Sequence, residues 1–216
     1  MLARIKFCGM TRASDASLAA ELGASYVGAV FAPGPRKVTP AAAKELFDSA
    51  RELAHVGVFG NNEIGEIAAI ADQLELDVVQ LHADPSPSDV HALRSKFSGE
   101  VWAAVRIAGD TLPYEADELF DAADGIILDA KNGERLGGTG VSIPWTEIAG
   151  ELVALRGTGL MILAGGLTPR NVSAAIRALA PDVVDVSSGV EQSPGIKDYH
   201  LMREFADAVG GVGAMQ

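Results

Sequence analysis

The sequence predicts an α/β protein, a single (β/α)8 TIM barrel with parallel strands. Short apolar runs rich in β-branched residues alternate eight times with Ala-, Leu- and Glu-rich runs of helical period. The apolar runs are nearly continuous, which is typical of parallel strands that are buried on both faces. Eight strand–helix units are the number that closes a parallel barrel, and no linker or low-complexity segment divides residues 1–216 into smaller domains.

The eight units follow one another at nearly even intervals. The predicted strands are Arg4–Cys8, Tyr26–Phe31, Val56–Phe59, Val78–His82, Val101–Ile107, Gly125–Asp129, Leu160–Ala164 and Val183–Val186. The predicted helices are Asp15–Leu22, Pro40–Leu53, Ile64–Leu74, Pro87–Lys96, Pro113–Ala122, Trp145–Leu155, Pro169–Leu179 and Asp198–Val209. An open, doubly wound sheet is the alternative, but it usually carries a dinucleotide-binding glycine fingerprint after its first strand. The sequence there reads "CGMTRASD" and lacks the fingerprint.

Several helix boundaries carry a local signal. Thr39, Ser86 and Thr168 each precede a proline, which predicts an N-cap followed by the first residue of a helix. Leu22-Gly23 predicts a helix end, because glycine readily adopts the left-handed conformation found there.

The composition excludes some classes of function. A net charge of −12 argues against nucleic-acid binding through a basic face. No apolar run approaches the ~20 residues that a membrane-spanning helix needs, and the start of the chain is too broken by charge for a signal peptide. The single cysteine cannot form an internal disulfide, which fits a reducing compartment. We therefore expect a cytoplasmic protein without nucleic-acid or membrane partners.

Polar residues at the ends of apolar strands are the candidate site residues, because barrels of this type form their site at the carboxyl ends of the strands. They are Cys8, His82, Asp129, Asp185, Ser187 and Ser188. Among the histidines only His82 ends a strand, in "VVQLHAD". No grouping of His, Cys and Asp has the spacing of a metal site.

Cys8 is either a small core residue or a reactive thiol at the mouth of the site. An ordinary thiol, with a pKa of about 8.5, is only slightly ionised at neutral pH, so a base at this position needs a nearby cation. Lys6 lies on the same strand face, about 6–7 Å lower. The last strand closes against the first, and we therefore expect a buried Lys6–Asp185 ion pair beneath the site.

Asp129 ends the strand in "GIILDA". It is either a loop residue that caps the next turn or a partly desolvated carboxyl that acts as a general acid. The widest interval between units follows it and contains "KNGERLGGTG", which includes Gly138. This segment is either a mobile loop over the strand ends, with Gly138 as a substrate-binding residue, or a tolerated surface insertion.

Two glycine-containing segments follow the seventh and eighth strands, where such barrels commonly bind phosphate. Gly165 and Gly166 lie in "AGGLTPRN", and Ser188 and Gly189 lie in "DVSSGVE". Glycine lets backbone N–H groups approach phosphate oxygens. A further cation, Arg36 in "PGPRKVTP", is either a solvated loop residue or the partner of a planar carboxylate, which it would hold by two hydrogen bonds.

These segments together resemble the phosphoribosylanthranilate isomerase family of the tryptophan pathway. The matching pieces are "KFCGMT", "GASYVGAVFAPGPRKVTP", "HVGVFGN", "VVQLHAD", "IILDAK", "GGTG", "ILAGGLTPRNV" and "DVSSGVEQSPGIKD". The resemblance implies a single barrel without metal or cofactor that performs an Amadori rearrangement on a small-molecule phosphosugar. It also implies that Cys8 is the general base, that Asp129 is the general acid and that Arg36 holds the anthranilate carboxylate. The phosphate would lie on the backbone around Gly165, Gly166, Ser188 and Gly189.

The sequence departs from the family pattern at Ala83, where the family usually has glycine, and at Ile143-Pro144, where it usually has Phe-Asp. Because of the second change, a non-catalytic barrel that only binds a phosphosugar remains an alternative. A related barrel of histidine synthesis, or a bifunctional enzyme, is a further alternative. Such barrels typically carry aspartate at the position of Cys8 and a second phosphate site, and no glycine pair follows the third strand here. The pattern fits a monomer and a homodimer equally well.

Overall fold

The computed structural model describes residues 3–113, 116–130, 145–155, 157 and 159–213. The eight strands of the main sheet are β1 (Arg4–Cys8), β2 (Tyr26–Val30), β3 (Ala54–Phe59), β4 (Val78–Leu81), β5 (Glu100–Ile107), β6 (Gly125–Ala130), β7 (Leu160–Leu163) and β8 (Val183–Val186). They form a closed parallel barrel in chain order, in which β8 pairs with β1. The predicted (β/α)8 barrel is confirmed.

The helices surround the barrel in the order expected for strand–helix units. They are α1 (Ala13–Glu21), α2 (Pro40–Asp48), α3 (Ile64–Gln73), α4 (Pro87–Arg94), α5 (Ala116–Ala122), α6 (Trp145–Leu155), α7 (Val172–Leu179) and α8 (Tyr199–Gly213). After β8 the chain forms a short 3-10 helix (Ser188–Val190) and an antiparallel hairpin of β9 (Glu191–Ser193) and β10 (Ile196–Lys197). The sequence analysis missed this hairpin.

Two of the predicted N-caps are confirmed. The Thr39 hydroxyl accepts a hydrogen bond from the Ala42 N–H at 3.2 Å, and Ser86 forms a reciprocal capping box with Asp89. The Thr39 side chain thereby satisfies one otherwise unpaired N–H group at the start of α2, and the capping box satisfies two at the start of α4. At the other end of α1, Gly23 has a φ of +73°, as the predicted helix end requires.

The predicted cap at Thr168 is wrong, because α7 begins four residues later. The Asn171 side chain accepts a hydrogen bond from the Thr168 N–H at 2.7 Å and donates one to the Gly166 carbonyl at 3.0 Å. These bonds hold the intervening residues in a turn, so that the helix begins at Val172. The predicted end of α2 at Leu53 is also wrong, since the helix stops at Asp48.

The core has an outer and an inner part. The outer part fills the space between the barrel and the helices, and the inner part consists of side chains that project into the barrel. Tyr26 and Trp102 pack edge to face inside the barrel, with ring centroids 5.0 Å apart. Alternate residues of each strand share one face, so the even-numbered residues of β1 and β4 and the odd-numbered residues of β6 point inward and lead to the mouth of the barrel.

Candidate active site

A pocket of about 890 Å³ lies at the carboxyl ends of the barrel strands. Every candidate residue in the described part of the chain lines it, namely Cys8, Arg36, His82, Asp129, Gly165, Gly166, Asp185, Ser187, Ser188 and Gly189. Gly138 and the rest of its predicted loop lie outside the described residues, as do Ile143 and Pro144. The fold therefore brings candidate residues from the ends of six strands, or from the loops that follow them, to one cavity.

The floor of the pocket contains the predicted ion pair. The Lys6 Nζ lies 2.9 Å from the Asp185 Oδ2, and the two residues are also paired in the register of β1 and β8. Lys6 is fully buried. Burial lowers the pKa of Lys6, but the charges and hydrogen bonds of Asp185 and, to a smaller extent, Cys8 together outweigh burial and hold that pKa above its ordinary value. Lys6 is therefore a cation at neutral pH under the site.

Cys8 lies one inward-facing position above Lys6 and is buried, with 7% of its surface exposed. Burial raises the pKa of the Cys8 thiol above its ordinary value, although the positive charge of Lys6 acts in the opposite direction. Lys6 thus favours the thiolate, as the sequence analysis expects, but it does not overcome the desolvation of the sulfur.

Asp129 is the last but one residue of β6, lines the same pocket and is buried. Its Oδ1 accepts a hydrogen bond from the Ala130 N–H at 2.8 Å, and its Oδ2 lies 3.1 Å from the His82 Nε2. The other ring nitrogen of His82, Nδ1, lies 3.0 Å from the Gln80 Nε2. Both carboxyl oxygens therefore have a polar neighbour among the described residues.

Arg36 is not a solvated loop cation. Its Nε and Nη2 donate to the two carboxylate oxygens of Glu191 at 2.8 and 2.6 Å, and its side chain is 15% exposed. Burial raises the pKa of Glu191, but the hydrogen bonds and charges of Arg36 and Lys197 outweigh burial and hold that pKa below its ordinary value. Glu191 therefore fixes one edge of the guanidinium, and the remaining N–H donors are available to an acceptor in the pocket.

Lys197, on β10, joins three segments at the edge of the site. Its Nζ donates to the Cys8 carbonyl at 2.6 Å, to the Ser187 carbonyl at 3.1 Å and to the Glu191 Oε1 at 3.0 Å. Burial lowers the pKa of this ammonium group. Sequence reasoning missed Glu191 and Lys197, although the Pro194-Gly195 dipeptide between them is a turn signal that predicts a hairpin.

Arg106, near the end of β5, is a second charged residue that sequence reasoning missed. It shares the inward face of Trp102 and Ala104, and it is the register partner of Asp129. Its Nε donates to the Asp84 Oδ1 at 2.7 Å, and its Nη2 bonds the other carboxylate oxygen. The alternation of strand side chains is the signal that places it at the barrel mouth.

The rim beside β7 and β8 has the backbone shape of an anion site. Gly165 and Gly166 have φ values of +73° and +70°, a left-handed conformation that favours glycine. A Cβ at Gly189 would lie 1.8 Å from the Leu167 carbonyl oxygen, so the two loops touch where no side chain fits. Consecutive backbone N–H groups in such loops form a concave surface that suits phosphate oxygens.

The sequence matches a known family over nearly its whole length. Residues 5–208 match the family described as "N-(5'phosphoribosyl)anthranilate (PRA) isomerase". The chain belongs to the phosphoribosylanthranilate isomerase family. The N-(5'-phosphoribosyl)anthranilate isomerase of Paracoccus denitrificans is 38% identical to it over 213 residues, which cover 95% of this chain and 96% of the relative.

Solved structures of family members share the fold. The phosphoribosyl anthranilate isomerase of Thermus thermophilus superposes with a TM-score of 0.84 at 32% identity, covering 97% of this chain and 99% of that chain. Monomers of the dimeric enzyme of Thermotoga maritima superpose with a TM-score of 0.82, also at 32% identity and with the same coverage. These relatives span the same barrel from end to end.

The described part of the chain holds neither a cluster of metal ligands nor a membrane-spanning helix. No group of three or more His, Cys, Asp or Glu residues there is arranged to hold a metal ion. None of the helices described combines the length and the hydrophobicity that crossing a membrane requires.

Proposed function

We propose that this chain catalyses the isomerisation for which its family is named, the Amadori rearrangement of N-(5'-phosphoribosyl)anthranilate to 1-(2-carboxyphenylamino)-1-deoxyribulose 5-phosphate. The chain is an isomerase of the aldose–ketose type and acts in tryptophan biosynthesis. One observation carries the proposed mechanism: Cys8 and Asp129, a thiol and a carboxyl from strands β1 and β6, line the same pocket. An acid and a base on one cavity can move protons at two positions of one sugar.

Asp129 is the general acid in the first step. Its carboxyl proton goes to the furanose ring oxygen while the bond between that oxygen and C1 breaks, and the nitrogen lone pair forms the C1=N bond. The sugar opens to a protonated Schiff base, and Asp129 is left as a carboxylate. The hydrogen bond from the Ala130 N–H to Oδ1 and the His82 ring 3.1 Å from Oδ2 keep the carboxyl aimed at one place during this transfer.

Cys8 is the general base in the second step. Its thiolate takes the C2 proton, the C2–H electron pair forms a C1=C2 bond, and the C=N electrons return to nitrogen. The product is an enolamine, which tautomerises to the ketone. Lys6 favours the thiolate this step needs, whereas burial opposes it, so the active form of the free protein grows with rising pH.

The two anionic groups of the substrate would be held by different groups of the pocket. Arg36, held by Glu191, would bind the anthranilate carboxylate, and His82 lines the same pocket as a further substrate-binding residue. The backbone at Gly166 and Gly189, with the Ser187 and Ser188 side chains at the same rim, would bind the phosphate. A locally positive site of this kind is needed because the chain as a whole carries a charge of −12.

The chain would act as one barrel domain, without metal or cofactor, on a small-molecule substrate in the cytoplasm. A reducing compartment suits Cys8, because an oxidised sulfur cannot serve as a base. We propose a monomer or a homodimer, since the Thermotoga maritima relative is described as dimeric, and sedimentation equilibrium distinguishes the two states.

The experiment is an assay of the purified protein with freshly prepared phosphoribosylanthranilate, following the loss of substrate fluorescence. Turnover, together with growth of a tryptophan auxotroph that lacks this step, supports the proposal. Folded protein that neither turns over the substrate nor restores growth contradicts it and favours a barrel that only binds phosphosugars.

A further inference from the structure

A row of buried polar side chains crosses the barrel along the floor of the pocket. It runs from Asp185 through Lys6, Gln80 and His82 to Asp129, and so joins strands β8, β1, β4 and β6. Successive contacts measure 2.9 Å, 3.0 Å, 3.0 Å and 3.1 Å. Gln80, which is 1% exposed, is the one amide in this row and stands at its centre. We call these five residues the polar row.

Lys6 determines which way the Gln80 amide faces. An ammonium group has only donors, so the atom that lies 3.0 Å from the Lys6 Nζ must be the carbonyl oxygen Oε1 of Gln80. The amide nitrogen then points in the other direction, toward the His82 Nδ1. The charge on Lys6 is secure because Asp185 lies on its other side, and the orientation of the amide is therefore fixed by chemistry.

The Gln80 amide in turn determines the state of His82. An amide nitrogen only donates, so the Nδ1 of His82 must accept, and it carries no proton. The proton of the neutral ring is then on Nε2, which lies 3.1 Å from the Asp129 Oδ2. An imidazolium ring would place an N–H on Nδ1 against the N–H of the amide, which removes a buried hydrogen bond.

We propose that Gln80 is a positioning residue that keeps His82 in the neutral Nε2–H form and thereby supplies Asp129 with an uncharged hydrogen-bond donor. An imidazolium at this place would form an ion pair with the Asp129 carboxylate and hold it ionised, whereas a general acid must take up a proton before each turnover. This inference deepens the proposed function and rests on it, because it takes Asp129 as the acid.

The direct test is a nitrogen NMR spectrum of the histidine rings in the full protein at neutral pH, with His82 assigned by the variant His82→Gln. The expected spectrum shows a bare Nδ1 and a protonated Nε2. The variant Gln80→Glu replaces the donor by a carboxylate that accepts from both Lys6 and Nδ1–H. It is expected to show protons on both ring nitrogens and a kcat lowered by about 10- to 100-fold, with little change in KM.

Gln73→Glu is the matched control, because it makes the same chemical change at an exposed position of α3 and should alter neither the spectrum nor kcat. A wild-type His82 with a proton on Nδ1 overturns the inference even if Gln80→Glu does not fold. An unchanged kcat in folded Gln80→Glu overturns it as well. The proposed function has its own test, because it fails if the wild-type protein does not turn over the substrate. That result would not change the protonation state of His82 seen in the nitrogen spectrum.

Discussion

Replacing Lys6 by methionine removes one partner of the buried ion pair at the base of the barrel. The Asp185 carboxylate is 8% exposed, and within the described residues its Oδ1 has no hydrogen-bond partner. Loss of Lys6 would leave that carboxylate buried without its closest donor. Breaking a buried pair in this way costs about 3–5 kcal/mol of unfolding free energy. In a protein of this size the melting temperature falls by about 2–4 °C per kcal/mol, so we expect a decrease of about 6–20 °C.

The assay is unfolding in guanidinium chloride at pH 7, followed by circular dichroism, for Lys6→Met, Asp185→Asn and the double variant. The double variant contains neither charge, and its loss of stability should be smaller than the sum of the single losses by about 2 kcal/mol or more. Lys44→Met is the control, because Lys44 forms an ion pair of similar length, 3.0 Å, with Asp48 on the surface. Removal of this exposed pair should hardly change the free energy of unfolding. A stability of Lys6→Met within about 1 kcal/mol of wild type, or strictly additive losses, would refute the reasoning.

Four further outcomes are expected. Arg36→Ala should raise KM by about 10- to 100-fold with a smaller effect on kcat, because a charged hydrogen bond to the substrate is lost. A normal KM would show that Arg36 does not bind the anthranilate carboxylate. Glu191→Gln should also raise KM, by about 3- to 10-fold, because Arg36 loses the carboxylate that holds it, and an unchanged KM counts against that role. The kcat/KM of the wild type should still rise between about pH 7 and pH 9, because Cys8 acts as thiolate and burial raises its pKa; a flat profile contradicts this. Gly189→Ala should raise KM and lower stability by about 1–3 kcal/mol, because the new methyl group meets the Leu167 carbonyl; calorimetry and steady-state kinetics check both, and a neutral effect contradicts the contact.

The barrel and its buried pair could be predicted because both follow from short-range regularities. Strand side chains alternate, so Lys6 and Cys8 must share a face, and eight units close, so Asp185 must come to lie beside Lys6. These two regularities need no knowledge of loop structure. The same reasoning also brings Asp129 to the pocket, where the structure places it.

The hairpin after β8 could not be predicted in the same way, because its role depends on contacts between distant segments. Glu191 and Lys197 look like ordinary surface charges in the sequence, yet they hold Arg36 and the Cys8 carbonyl. The Thr168-Pro169 signal misled for a related reason. The Asn171 side chain bonds the preceding turn and shifts the helix start, and a tertiary or local side-chain contact of this kind overrides the propensity of a dipeptide.

The central claim is that the Cys8 sulfur removes the C2 proton of the opened sugar. The most direct measurement is single-turnover kinetics of Cys8→Ser with phosphoribosylanthranilate, beside substrate binding by the same variant. A hydroxyl is far harder to ionise than a thiol, so the rate should fall by about 10²- to 10⁴-fold while the affinity for substrate changes little. A rate close to that of the wild-type protein would show that another group takes the proton and would contradict the account.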